Sequence, residues 1–323
     1  MLTKEQLFEI SYGALRLVEQ DGYWFFRRFT KEQEDLMVRR LDMRRFDSAS
    51  CIRLEFITRG GEISFDYSAV QATGRNFCSF DIAVDGVLTY HFEEKNHTKK
   101  DRLSYVVPQA DAPVRVTVYF SCYSSMGLKN VCLPEDYQPT ARKMKLLVLG
   151  DSITHGSDAS YPSLSYANQL TDHFDAWTLN QGIGGDYFLD ENLDPQLPFA
   201  PDLITVAYGT NDWSRGSLLD NTMARDYLDK LTNIYPGTPV FMLLPIYRMD
   251  ETEPKHGIYL QEVRDRLAKL GEEYPYVHVV DCKKFVPWLP VFFHDGYLHP
   301  NELGYLHYGK HLIRVIEEFL AEK

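Results

Sequence analysis

The spacing of apolar residues changes character near residue 140, and this one change limits the folds open to the chain. Upstream, apolar and polar residues alternate in CIRLEFI (51–57), EISFDYS (62–68), FCSFDIAV (77–84), VLTYHFE (87–93), LSYVV (103–107) and VRVTVYFS (114–121). A period of two places alternate side chains on opposite faces, so each run reads as a half-buried strand. The Gly-Gly, Asp-Gly and Asp-Ala-Pro breaks between the runs read as turns. The pattern is that of an antiparallel, jelly-roll-like β-sandwich, preceded by a helix predicted from Lys4 to Glu19.

PEDYQPTARKM (134–144) has two prolines and no periodicity, which marks it as a linker between a first domain over 1–140 and a second over 141–323. Beyond it, short apolar strands alternate with helical patterns. The strands are LLVLG (146–150), WTLN (177–180), LITVAYG (203–209), VFMLLP (240–245) and VHVVD (277–281). The helices are predicted around 166–174, 221–235, 259–270 and 302–321. Strands apolar on both sides imply a parallel sheet covered on both faces, a doubly wound α/β domain. Such sheets bind ligands beyond the carboxyl ends of their strands.

Composition narrows the partners. With 323 residues, 44% of them hydrophobic, the chain is comfortable for two domains and can bury at least one substantial core. Its 34 basic and 46 acidic residues give a net charge of −12, without a basic run, which argues against nucleic acid or an anionic membrane surface as partner. The N-terminus interrupts its apolar pattern with acidic residues and has no cleavage-site pattern, and no apolar stretch is long enough for a membrane span. A cytoplasmic location is expected. The five cysteines, Cys51, Cys78, Cys122, Cys132 and Cys282, form no CxxC pair and read as small buried hydrophobes rather than a disulfide framework or zinc site.

The chemistry sits where the strands end. LLVLGDSITHG (146–156) closes its apolar run at Gly150 and at once presents Asp151, Ser152 and His155. Three later loops behave alike: NQGIGGD (180–186), YGTNDW (208–213) and FFHDGYLHPNELGY (292–305). A serine hydroxyl attacks an acyl carbon only when a base removes its proton, and the oxyanion then needs fixed donors. Ser152 is the candidate nucleophile and His299 the candidate base. The candidate oxyanion donors are the backbone N–H groups of Ser152 and Gly185 and the side-chain amide of Asn211.

Taken in order, GDS (150–152), GIGGD (182–186), GTND (209–212) and DGYLHPN (295–301) resemble the four sequence blocks of the SGNH/GDSL hydrolase superfamily. The resemblance covers about residues 144–323. It implies a flavodoxin-like three-layer α/β/α domain, no metal or organic cofactor, and the roles just given to Ser152, Gly185, Asn211 and His299. One position departs from it: the family usually places its triad Asp three residues before the His, where this chain has Gly296, with Asp295 one residue further back. Either the loop lets Asp295 reach the His299 ring, the favoured reading, or a backbone carbonyl orients the ring and the site is a dyad. The first half resembles, more loosely, the β-sandwiches that precede some bacterial SGNH carbohydrate esterases. Shaping the site, binding a sugar and forming a homo-oligomer all remain open for it.

Other residues carry weaker signals. Asp151 and Asp212 are expected to stabilise their loops, His155 to lie at the surface or line the pocket, and His294 to pack beside the catalytic loop. Tyr208, Trp213 and Tyr297 are candidates for the substrate pocket, with capping of the core as the alternative. Tyr67, Phe80 and Tyr90 read as strand core rather than a sugar-stacking face. The Gly-rich turn meets neither GxGxxG nor GxxxxGK[ST], so a phosphate cradle is disfavoured. The expected activity is hydrolysis of short acyl esters, acetyl first, on a small molecule or carbohydrate. An acyltransferase using the same site and an inactive carbohydrate-binding scaffold are the alternatives.

Overall fold

The structure, a computed structural model, describes residues 1–41, 43–75, 77–95, 99–217 and 222–322. Alternation in the first part becomes two antiparallel sheets packed face to face. Their strands are β1 (Ser11–Tyr12), β2 (Arg16–Gln20), β3 (Tyr23–Arg27), β4 (Arg53–Thr58), β5 (Gly61–Gln71), β6 (Cys78–Val84), β7 (Val87–Glu94), β8 (Lys99–Val107), β9 (Val114–Phe120), β10 (Ser124–Cys132) and β11 (Gln138–Pro139). One sheet runs β1-β4-β9-β6-β7, with β11 added to β4, and the other runs β2-β3-β10-β5-β8. Between them lies one apolar core that includes Phe26, Phe56, Phe65, Phe80 and Phe120. Tyr67 is buried in the same core and Tyr90 packs against it, as strand-core residues should.

The N-terminal helix is shorter than its periodicity predicts. Helix α1 spans only Lys4–Glu9, started by a capping box between Thr3 and Gln6. After it, Arg16–Gln20 pairs with Tyr23–Arg27 as a hairpin across Asp21-Gly22. An Asp-Gly turn with alternating residues on both sides favours a hairpin over helix continuation. Helix α2 (Lys31–Arg40), with its own capping box at Thr30, and strand β10 were not expected. Strand β10 is central and buried on both faces along its first five residues, so it shows no alternation. The expected linker is partly tied down, since β11 pairs with Phe56 and Ile57 of β4.

The second part follows its predicted pattern closely. Strands β12 (Met144–Gly150), β13 (Ala176–Asn180), β14 (Leu203–Ala207), β15 (Val240–Leu243) and β16 (Val277–Val280) form a wholly parallel sheet in the order β13-β12-β14-β15-β16. This is the flavodoxin-like order, second-first-third-fourth-fifth. The helices are α3 (Ser152–His155), α4 (Tyr166–His173), α5 (Thr210–Arg215), α6 (Thr222–Ile234), α7 (Leu260–Gly271) and α8 (Glu302–Ala321). Alternate strand residues divide between two cores. Leu147, Leu149, Ile204 and Val206 pack with α6 and α7, while Leu146, Leu203, Phe241 and Leu243 pack with α4 and α8. The strand order reverses between β12 and β14, and the loops after these two strands carry Ser152 and Asn211. Among the described residues no helix is long and apolar enough to cross a membrane.

The two parts meet through buried arginines as well as small apolar clusters, Phe29, Met37 and Phe46 with Ile183 and Cys51 with Val148 and Ala167. Arg53 of β4, fully buried, reaches Asp172 and the Asn168 side chain of α4. Arg142 pairs with Glu55 and Asp175. Arg28, also fully buried, donates to the carbonyls of Ser48, Asn180 and Gly182. Burial lowers its guanidinium to about 9.

Candidate active site

Strand β12 delivers Ser152 to the sheet edge as the first residue of α3. Asp151 caps that turn by accepting the Ile153 N–H at 3.0 Å, and lies 3.5 Å from Asn211 Nδ2. Full burial pushes the Asp151 carboxyl up to about 7. Its place is structural, as its adjacency to Ser152 suggested. Asp212 likewise accepts the N–H groups of Gly209 and Phe188, which closes the loop after β14.

The last loop reaches Ser152 from the far end of the chain. His299 Nε2 stands 2.9 Å from Ser152 Oγ, and its Nδ1 stands 2.7 Å from Asp295 Oδ2. The shifted spacing does not prevent the contact, because the loop wraps around the carboxylate. Asp295 Oδ1 accepts the N–H groups of Tyr297, Leu298 and His299 at 3.0, 2.8 and 3.1 Å. Gly296, at φ +77°, takes the left-handed turn that absorbs the extra residue. Partial burial would push the Asp295 carboxyl up, but the His299 ring and these N–H groups outweigh it and hold the group well below the usual carboxylate range.

Sequence reasoning missed Asp158, which is buried with Oδ2 3.5 Å from His299 Nδ1. Arg75, from the sandwich, grips both of its oxygens at 2.8 and 2.6 Å. Among the described residues, Asp158, Asp295 and His299 are the one set whose donor atoms, within 4.8 Å of each other, could share a metal ion. Each is already engaged, Asp158 by Arg75 and Asp295 by three N–H groups and the ring.

Gly185 sits at φ +83°, a conformation a side chain would strain, and a Cβ there would come within 3.0 Å of Arg45 Nη1. Arg45 donates to the Gly184 carbonyl. The C=O and N–H of a trans peptide point in opposite directions, so this bond turns the Gly185 N–H away from Arg45. Asn211 Nδ2 donates to the Asp186 carbonyl at 2.8 Å, which leaves its second hydrogen only the long contact to Asp151. Ser152, Gly185, Asn211 and His299 all line one cleft of about 320 Å³. The sandwich closes the opposite wall with Arg45, Thr73, Gly74, Arg75 and Tyr123.

His155 is not at the surface. It lines the cleft at 1% exposure, accepts the Gly184 N–H on Nδ1 at 3.1 Å and meets Ser48 Oγ through Nε2 at 2.6 Å. Burial, then the charges of Arg28 and Arg45, hold the ring neutral. Both nitrogens are engaged, so it bridges the two halves and cannot serve Ser152 as base. His294 lies beside the loop, its backbone N–H donating to the His299 carbonyl at 2.8 Å.

None of the three aromatic candidates lines this cleft. Trp213 is fully buried and donates its Nε1–H to the Ile258 carbonyl at 2.8 Å. Tyr208 packs among Phe188 and Tyr227, with ring centroids 5.2 and 5.5 Å away. Both follow β14 on the side that faces α6 and α7, and burial of their large apolar area there outweighs exposure to a polar cleft. Tyr297 is exposed and its ring lies 5.9 Å from the Arg248 guanidinium, while its neighbour Leu298 lines the cleft instead.

Comparison with known proteins follows the same division of the chain. Residues 148–306 match the model of the GDSL-like lipase/acylhydrolase family. Comparison with curated protein sequences finds no match. In structure the chain is similar to a salicylyl-acyltransferase of a tetracycline biosynthetic pathway, over 96% of this chain and 94% of that one (TM-score 0.83, 20% identity). It is similar to a candidate GDSL-like lipase from Bacteroides ovatus over 99% and 97% (TM-score 0.77, 16% identity). It is also similar to an acetyl xylan esterase from Butyrivibrio proteoclasticus over 94% and 97% (TM-score 0.62, 14% identity). These likenesses establish the fold, and they extend through the β-sandwich as well as the parallel-sheet part.

Proposed function

We propose that this chain, whose residues 148–306 match the model of the GDSL-like lipase/acylhydrolase family, is a serine esterase that uses Ser152, His299 and Asp295. The supporting observation is the unbroken chain Asp295 Oδ2, His299 and Ser152 Oγ, at 2.7 and 2.9 Å. His299 takes the Ser152 proton as Oγ bonds to the ester carbonyl carbon. The resulting oxyanion is met by the N–H groups of Ser152 and Gly185 and by the Asn211 amide. Collapse expels the alcohol, protonated by His299, and leaves an acyl-enzyme. Water, deprotonated by the same ring, then releases the acid.

The substrate is a short acyl ester, acetyl foremost, carried on a small molecule or carbohydrate. A cleft of about 320 Å³ accommodates a short acyl group and part of its alcohol, and it is too small for a long chain. The acetyl xylan esterase among the structural neighbours supports a sugar as the alcohol. Ser152→Ala should reduce hydrolysis of p-nitrophenyl acetate by at least about 10³-fold. Turnover equal to the wild type would reject the assignment. A chain-length series peaking at ten carbons or more would overturn the short acyl group.

The full-length likeness to a salicylyl-acyltransferase supports a second reading, in which an alcohol replaces water in the last step. Product analysis in the presence of a sugar or phenol acceptor separates the two. Acyl transfer that outpaces hydrolysis at millimolar acceptor would favour the transferase.

A further inference from the structure

We propose that the ester this site accepts carries an anionic oxyacid group, a carboxylate or phosphate, and that Arg45 is the specificity-determining residue that recognises it. The proposal rests on the esterase reading of Ser152 and names its substrate class more narrowly. Arg45 comes from the sandwich half and borders the reacting groups. A Cβ on Gly184 would lie 3.8 Å from both Arg45 Cδ and Ser152 Cβ, and one on Gly185 would lie 3.0 Å from Arg45 Nη1.

Among the described residues that line the cleft, its charge is the one that no carboxylate matches. Arg75 is matched by Asp158, Arg40 by Asp186 at 2.7 Å and Arg44 by Asp47 at 2.5 Å. Arg45 donates to a single neutral carbonyl, that of Gly184, and among the described residues no carboxylate lies within ion-pair distance of it. A guanidinium has five N–H donors in a planar fork, so most of this one remains free for a ligand. No Asp or Glu is among the described residues that line the cleft, and the His155 ring beside Arg45 is held neutral. A cationic wall in a chain of net charge −12 is not a by-product of composition. The fork fits the paired oxygens of a carboxylate or phosphate, and in a half-enclosed cleft such a pair strongly favours the charged ligand.

The anion can reside in either half of the ester, and two substrate pairs distinguish the sources. Mono-p-nitrophenyl succinate against p-nitrophenyl acetate tests the acyl half. O-acetylated glucuronic acid against its methyl ester tests the alcohol half. The readout is the ratio of kcat/KM for the charged member to that for the neutral one, which cancels any common damage to the oxyanion donors. The wild type should favour the charged member of at least one pair. Arg45→Gln should lower that ratio by about tenfold or more, Arg45→Lys should lower it less, and 0.5 M NaCl should reduce it in the wild type. Equal ratios in wild type and Arg45→Gln for both pairs, or a preference for the neutral member in both, would overturn the proposal.

Calorimetric binding of succinate and of inorganic phosphate keeps the two readings distinguishable. If Ser152→Ala retains activity or no ester is turned over, the esterase reading fails. Anion binding lost in a folded Arg45→Gln chain would still support the recognition site, and binding equal to the wild type would reject it.

Discussion

The two walls of the cleft are built on different principles. The parallel-sheet wall carries the proposed reacting groups, each on a loop that follows a strand and each within a short motif. The sandwich supplies Arg45 and Arg75 to the cleft and the buried Arg28 behind it, which belong to no motif and act on the backbone or carboxylates of the other part. Arg28 and Arg45 hold the 180–184 turn by its carbonyls, and Arg75 holds Asp158 beside the His299 ring. Placing a hydroxyl beside an imidazole takes a strand end and a loop, whereas holding a Gly-rich turn rigid takes donors from outside it. The sandwich therefore forms one wall of the cleft and holds the turn that borders it.

That contrast can be broken at either wall. On the motif wall, Asp295→Asn should lower kcat for p-nitrophenyl acetate by roughly 10³–10⁴-fold while the melting temperature changes little, because the carboxylate orients and charge-stabilises His299. A loss under tenfold would make the site a dyad. On the other wall, Arg28→Met leaves several buried carbonyls without donors and should cost about 3–5 kcal/mol of stability in urea titration. A variant as stable as the wild type would mean that the sandwich is not needed to hold the turn.

Smaller effects sharpen the picture. Asn211→Ala removes one oxyanion donor and should lower kcat about 10²–10³-fold with KM little changed. A change confined to KM would place the amide in ground-state binding instead. Asp151 keeps its proton in the folded chain up to about pH 7, whereas an unfolded Asp releases it near ~3.9. Between these values the unfolded chain binds fewer protons, so the raised group makes stability fall as pH rises, by no more than about 1.4 kcal/mol per pH unit. Asp151→Asn should flatten that fall between pH 4.5 and 7 in urea midpoints. An unaltered slope would show that the carboxyl is ionised throughout.

Legibility tracked locality. The parallel strands, the helices of the second half and the four loops could be read because each is a continuous segment with its own period or motif. Strand β10 could not, being buried on both faces from Ser124 to Leu128, and the β2–β3 hairpin was hidden inside an apolar spacing that also fits a helix. Tyr208 and Trp213 misled for a related reason. An aromatic beside a catalytic motif lines a pocket or fills the core according to the face of the sheet it leaves, and only packing decides that.

What the sequence determined by itself was the order of structure and chemistry along the chain: alternation upstream, strand-helix repeats downstream, and Ser152, Gly185, Asn211 and His299 at strand ends. Periodicity and turn chemistry are local, so they survive in one dimension. Only the tertiary structure decided that Asp295 wraps its loop to meet His299, that Asp158 lies behind the same ring, and that Arg45 stands unmatched beside Gly185. Those relations join residues up to 141 positions apart, and the spacing of residues along a chain carries no distance between them until the two cores have packed.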